Sequence, residues 1–63
     1  MDMKPVREMN AEEAREALGN AIRNLDSETI LAIRSNPSRT EGDSPVVAHA
    51  KEALRQIIEL TAA

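Results

Sequence analysis

The sequence predicts a small all-α fold: a long, a short and a long helix form a three-helix hairpin, which pairs with a second copy as a homodimer. Apolar residues recur at helical spacing in two long segments, and each predicted helix follows a residue that favours helix starts. The chain has 63 residues and no Phe, Tyr, Trp or Cys. So small a core needs very good helix packing or a second subunit, and C2 dimers are the commonest homo-oligomers.

Residues 1–9 are predicted to form a flexible arm, followed by a single helical domain over residues 10–63. Pro5 makes a helix in the arm unfavourable because it pushes the preceding residue towards extended geometry. Asn10 is a favourable N-cap, and Glu13, three positions later, completes a capping-box pattern. The first helix is therefore expected to begin directly after the cap.

This first helix is predicted to run from about residue 11 to residue 25. Its apolar stripe consists mostly of alanine, so the helix can approach a neighbour closely. Gly19 lies on the flank of the stripe and is either a tolerated surface glycine or a point of close helix contact. The stripe comprises Ala11, Ala14, Ala17, Leu18, Ala21, Ile22 and Leu25.

A short second helix is predicted over residues 27–35. Asp26 and Ser27 signal its start, and Glu28 in the first turn suits the helix dipole. The apolar run at residues 30–33 points around most of the helix, which predicts burial between two neighbours. No Gly or Pro separates the first two helices, so one continuous bent helix remains an alternative.

The last helix is predicted over residues 45–61, after a polar loop at residues 35–44. Ser44 is placed to cap it, and Pro45 suits the first helical position. Its apolar stripe is wider than one helix neighbour requires, which indicates contact with another protein. The alternative is that the stripe is used entirely inside the monomer. The predicted contact or dimerisation residues are Val46, Val47, Leu54, Ile57, Ile58 and Leu60, with Arg34 and Arg39 as charges at the rim.

The sequence contains no recognisable catalytic, cofactor-binding or metal-binding pattern, so we predict that the protein is not an enzyme and needs no cofactor. His49 is the only histidine, too few for a zinc site, and is expected at the edge of the last helix's stripe. A pH-sensitive contact at this histidine is an alternative. The acidic residues Glu12, Glu13 and Glu16 are expected on the solvent side of the first helix, where early acids favour the dipole.

These features predict a small cytoplasmic regulator or adaptor that binds a larger protein and modulates it by occlusion, of the kind that phages and plasmids encode. The net charge of −3 disfavours nucleic acid as a partner, and no apolar run long enough for a membrane span is found. The alternative is a dimeric DNA-binding transcriptional regulator. Its arm, with Lys4 and Arg7 ahead of helices, superficially resembles a ribbon-helix-helix layout, although Pro5 falls in the would-be strand.

Overall fold

The computed structural model describes residues 4–62 and shows an all-helical chain. A short 3-10 helix at Val6–Glu8 precedes three α-helices: α1 at Ala11–Ile22, α2 at Ser27–Ser35 and α3 at Pro45–Thr61. Residues 4–62 contain no β-strand. The predicted all-α fold with a long, a short and a long helix is confirmed.

The start of α1 is held by the predicted capping box. The Asn10 side chain accepts a hydrogen bond from the Glu13 backbone N–H at 2.8 Å, and the Glu13 carboxylate accepts one from the Asn10 N–H at 3.1 Å. Lys4 Nζ lies 3.0 Å from the same carboxylate oxygen of Glu13. Two backbone donors that α1 cannot satisfy internally are thereby paired, which fixes the first turn.

The other two helices begin at the predicted caps as well. The Asp26 carboxylate accepts a hydrogen bond from the Thr29 N–H at 3.0 Å, and Ser44 Oγ accepts one from the Val47 N–H at 3.3 Å. Pro45 occupies the first turn of α3, where its missing N–H costs no hydrogen bond. Local sequence signals therefore set all three helix starts.

Acid should weaken the fold through these capping carboxylates. The backbone hydrogen bond from Asn10, and then Lys4, lower the pKa of Glu13, while hydrogen bonds from Thr29 lower the pKa of Asp26. A carboxylate whose pKa is lower in the folded chain than in the unfolded chain stabilises the fold at pH values above its unfolded pKa, which is near 4. That stability is lost as pH falls through the folded pKa. We therefore expect the free energy of unfolding, measured with urea, to fall between pH 5 and pH 3.

The double variant Glu13→Gln/Asp26→Asn should flatten this acid dependence, because the amides keep an acceptor oxygen but do not titrate in this range. The matched control Glu12→Gln/Glu28→Gln removes two acids from the same first turns without touching either capping contact. If both double variants lose stability in acid as steeply as the parent, the capping carboxylates are not the cause.

Helix α1 ends three residues earlier than predicted, at Ile22 instead of Leu25. Residues 23–26 form a turn in which the Leu25 N–H donates to the Ile22 carbonyl at 3.0 Å. Asp26 is the physical reason: as the N-cap of α2 it has an extended backbone, with φ −76° and ψ 165°, which no continuous helix permits. The first two helices are therefore separate.

Helices α1 and α3 form the main packing contact of the fold. They are antiparallel, because the start of α3 lies beside the end of α1 and Gln56, late in α3, binds the segment that precedes α1. Ala14 of α1 and Ala50 and Ala53 of α3 are completely buried, so the two helices meet through alanine side chains. Among large side chains in the described residues, only Ile33 of α2 is completely buried. The core is therefore small, as the composition predicts, and close approach of α1 and α3 takes the place of bulky side chains.

The N-terminal segment contacts α3 within the predicted arm, between residues 6 and 9. Val6 in the 3-10 helix is 5% exposed and packs against α3. Gln56 of α3 donates its side-chain N–H groups to the carbonyl oxygens of Arg7, at 3.3 Å, and Met9, at 2.8 Å. Pro5 disfavours an α-helix here, as expected, but a short 3-10 turn follows it and buries the valine. The predicted arm residues 1–3 lie outside the described part.

Two predictions about packing around α2 and α1 are resolved by side-chain exposure. The run at residues 30–33 is not buried all round: Ile33 is 1% exposed, but Leu31 is 64% exposed. Helix α2 packs through one face only, so the opposite side of its apolar run meets solvent. Gly19 is a surface glycine, because a Cβ added there would have nothing within 4 Å.

Candidate functional site

Three of the six predicted contact residues on α3 are exposed. Val46 is 49% exposed, Ile58 is 47% and Leu60 is 43%. The other three, Val47, Leu54 and Ile57, are half-buried. The structure thus leaves large apolar side chains of α3 in solvent at both ends of the helix. The fourth large exposed apolar residue in the described part, Leu31 of α2, was missed because its neighbours suggested complete burial.

Helical geometry places these exposed side chains on different flanks of α3. At about 100° per residue, Ile58 and Leu60 lie on opposite sides of the row formed by Ala50 and Ala53. Val46 continues that row towards the start of α3. The exposed residues at the end of α3 therefore border the α1 contact on both sides, whereas Val46 lies in line with it.

The exposure of Val46 shows that α1 and α3 separate at this end of the hairpin. Ala50 and Ala53, on the same face of α3, are completely covered by the packing against α1, but Val46 is half open. An open groove of about 840 Å³ lies here between α1 and the first turn of α3. We call it the α1/α3 groove. Its apolar surface is formed by Met9, Ala17, Ala21, Leu25 and Val46.

The walls of the α1/α3 groove are polar and carry negative charge. Glu13, Glu16, Asn20 and Asn24 line it from α1 and the turn after it. His49 of α3 lines the other side, and it is half-buried, as expected of a histidine at the edge of the stripe. The lining contains no Lys or Arg. Sequence reasoning placed the glutamates in solvent correctly but had no means of finding the groove, which depends on how the helices cross.

A buried lysine fixes the loop that leads into α3. Lys51 is 7% exposed, and its Nζ donates to the backbone carbonyl of Arg39 and lies 2.5 Å from Asp43 Oδ2. Gly42, with φ +75°, lets the chain turn so that Asp43 reaches the lysine, and the Asp43 N–H donates to the Thr40 carbonyl at 3.2 Å. The predicted polar loop is therefore tied to α3.

Sequence analysis missed Lys51, although a signal was present. The residue lies four positions after Val47 and three before Leu54, so it shares an apolar flank of the helix with them. A lysine on such a flank is either exposed or paired under another segment. Here the loop covers it, so its role is structural and it holds the groove end of α3 in place.

The two predicted rim charges, Arg34 and Arg39, are both exposed. Arg34 is in the last turn of α2, and Arg39 is in the loop whose carbonyl Lys51 binds. Within residues 4–62, neither guanidinium takes part in a salt bridge. Both are available to an external partner, but they belong to α2 and the loop rather than to the α1/α3 groove.

The described residues show no assembly of groups suited to metal binding. No three His, Asp or Glu side chains among residues 4–62 come together in a way that could hold a metal ion. The buried pair Lys51 and Asp43 is fully engaged with the loop and does not line the α1/α3 groove.

No protein-family model matches this chain, and neither a curated protein nor a solved structure does so. In the described part of the chain, none of the helices combines the length and apolar character required to cross a membrane.

Proposed function

We propose that this protein is a non-catalytic regulator or adaptor, which binds another protein through exposed apolar side chains of α3 and acts by covering part of that protein's surface. One observation carries the proposal. Ile58 and Leu60 are nearly half exposed at the end of α3, in a chain whose described residues completely bury only one large side chain. Apolar surface that the fold leaves uncovered on a helix is typical of protein-binding sites.

Contact with a partner would recover a useful part of the hydrophobic free energy. Full burial of an aliphatic side chain contributes about 1.5–3 kcal/mol, so covering the exposed halves of Ile58 and Leu60 contributes about 1 kcal/mol each. Arg34 and Arg39 would add charge contacts at the rim, which mainly set specificity and association rate. The proposed mode of action needs only this surface and no reacting group.

The first partner that we propose is another copy of this chain. The described core contains five buried apolar residues, three of them alanine. Domains of this size often gain stability by oligomerisation when disulfides and metals do not contribute. A homodimer through α3 would cover the same apolar side chains, and its dissociation would expose them to a larger partner.

The alternative of a DNA-binding regulator is less well supported. It requires a free N-terminal arm with available positive charge, but Val6 is packed on α3 and Lys4 is paired with Glu13. The net charge of −3 also opposes binding to phosphate. Binding to mixed-sequence DNA that weakens steeply with salt and is lost on replacing Lys4 and Arg7 with alanine would restore this alternative.

The substitution Ile58→Asp should abolish self-association and partner binding while leaving the fold intact. Ile58 is 47% exposed, so a charge there remains hydrated in the free chain but would be buried without a partner charge in the complex. Sedimentation equilibrium measures self-association, and capture of a stoichiometric protein from lysate measures partner binding. Circular dichroism checks the helix content of the variant.

Leu31→Asp is the matched control for this test, since Leu31 is the most exposed large apolar residue of the described part and belongs to α2. We expect it to retain both kinds of association. If Leu31→Asp abolishes association and Ile58→Asp does not, the contact surface lies on α2. If Ile58→Asp unfolds the chain, Ile58 is a core residue and the proposed surface is wrong.

A further inference from the structure

We propose that the α1/α3 groove binds one amphipathic α-helix of a partner protein, with lysine or arginine residues of that helix facing Glu13 and Glu16. This inference rests on the proposed function, because it assumes that the chain binds proteins, and it names the class of partner. It concerns a different surface from the apolar end of α3 at Ile58 and Leu60.

The shape of the groove fits a helix. Its apolar floor follows α1 through Ala17 and Ala21, which are spaced by four residues and so form one row along the helix, and Leu25 of the following turn extends it. From Glu13 to Ala21 this side of α1 extends about 12 Å, or a little over two helical turns. The two alanines leave space into which large side chains of a partner can insert, and Val46 forms the opposite apolar side.

The pattern of polar and apolar surface favours an amphipathic helix over a small apolar ligand. The groove is open along its length, with an apolar floor between polar walls. An amphipathic helix presents an apolar stripe bordered by polar flanks, which matches this arrangement on both sides. A small apolar molecule would cover part of the floor but leave the glutamates without a counterpart.

Charge selects a basic helix. Glu16 is exposed and takes part in no salt bridge within residues 4–62, while Glu13 shares its charge with Lys4 alone. No Lys or Arg lines the groove itself, and Lys4, which pairs with Glu13, lies outside the lining, so Glu16 is the carboxylate left for a cationic flank. A second copy of the chain is a poorer occupant, because it carries the same net charge of −3.

The test uses two synthetic amphipathic peptides of equal length, each with a leucine face and one tryptophan. One peptide has lysine flanks and the other has glutamate flanks. Because the protein has no Trp, Tyr or Phe, the fluorescence of the peptide tryptophan reports binding without background. We expect the lysine peptide to bind at least about tenfold more tightly than the glutamate peptide, which is the difference that two weak charge contacts would produce. The emission of its tryptophan should shift to the blue on binding.

Two variants locate the binding site. Ala21→Leu fills the floor and should weaken binding of the lysine peptide about tenfold, whereas Ala32→Leu, the same change at an exposed position of α2, should not. Glu16→Lys should reverse the preference between the two peptides, whereas Glu12→Lys, on the same helix but outside the groove lining, should reduce it only slightly. Glu16 is a surface residue, so its variant remains informative if Ala21→Leu fails to fold.

Equal binding of the two peptides, or binding that neither groove variant changes, would overturn the inference. Loss of self-association in Ala21→Leu would also overturn it, because the groove would then be an interface between copies. The lysine peptide should still bind the Ile58→Asp variant. Failure of the groove can therefore be distinguished from failure of the proposed function, which depends on the end of α3.

Discussion

Replacing Lys51 with methionine is expected to lower the free energy of unfolding by about 3 kcal/mol, the low end of the cost of breaking a buried ion pair. Methionine keeps most of the buried aliphatic stem but removes the ammonium group. The Arg39 carbonyl and the Asp43 carboxylate would lose their partner in a region where the Asp43 side chain is only 20% exposed. A domain below about 70 residues rarely has more than 3–5 kcal/mol of stability, so a large fraction of the chains would unfold.

Lys4→Met is the matched control, since it removes an ammonium group from a pair whose side chains are 49% and 41% exposed. Water replaces the lost contact there, so the loss of stability should be far smaller. Adding Asp43→Asn to Lys51→Met should recover part of the loss, because an unpaired amide is less costly to bury than an unpaired carboxylate. Urea unfolding followed by circular dichroism measures all four chains. A loss in Lys51→Met no larger than that in Lys4→Met would show that the loop contact contributes little.

The features predicted well from the sequence are those set by neighbouring residues. Each N-cap side chain accepts a hydrogen bond from the backbone N–H three positions later, so the helix starts follow from local chemistry. These N-caps are Asn10, Asp26 and Ser44. The end of α1 was placed too late because Leu25 fits the apolar period. The N-cap geometry of Asp26 overrides that period, and periodicity alone contains no information about it.

The features that were missed depend on residues far apart in the chain. Gln56 holds the N-terminal segment across more than 45 positions, and Lys51 reaches back 12 positions to Arg39. No local pattern signals such contacts before the helices are docked. The α1/α3 groove is missed for the same reason: the exposure of Val46 depends on where α1 and α3 separate, which the period of α3 does not determine.

Alanine at the α1–α3 contact explains how a chain without aromatic residues holds two helices together. The close approach of two backbones brings many atoms into contact, and each contact contributes a small dispersion energy. Ala14, Ala50 and Ala53 are all completely buried, so this close contact joins the beginning of α1 to the middle of α3. The same feature makes the fold sensitive to added volume, since a larger side chain at a completely buried alanine must displace the atoms packed against it.

Ala50→Leu is therefore expected to destabilise the protein by about 2–3 kcal/mol, the upper part of the usual cost of overpacking. The leucine side chain must either adopt an unfavourable rotamer or push α1 away from α3, and separation would also uncover Ala14 and Ala53. Ala32→Leu is the control, because alanine and leucine have similar helix propensities and Ala32 is exposed on α2. Urea unfolding of both variants measures the difference. If Ala50→Leu is as stable as Ala32→Leu, the two helices have room between them, and close alanine packing does not hold this fold together.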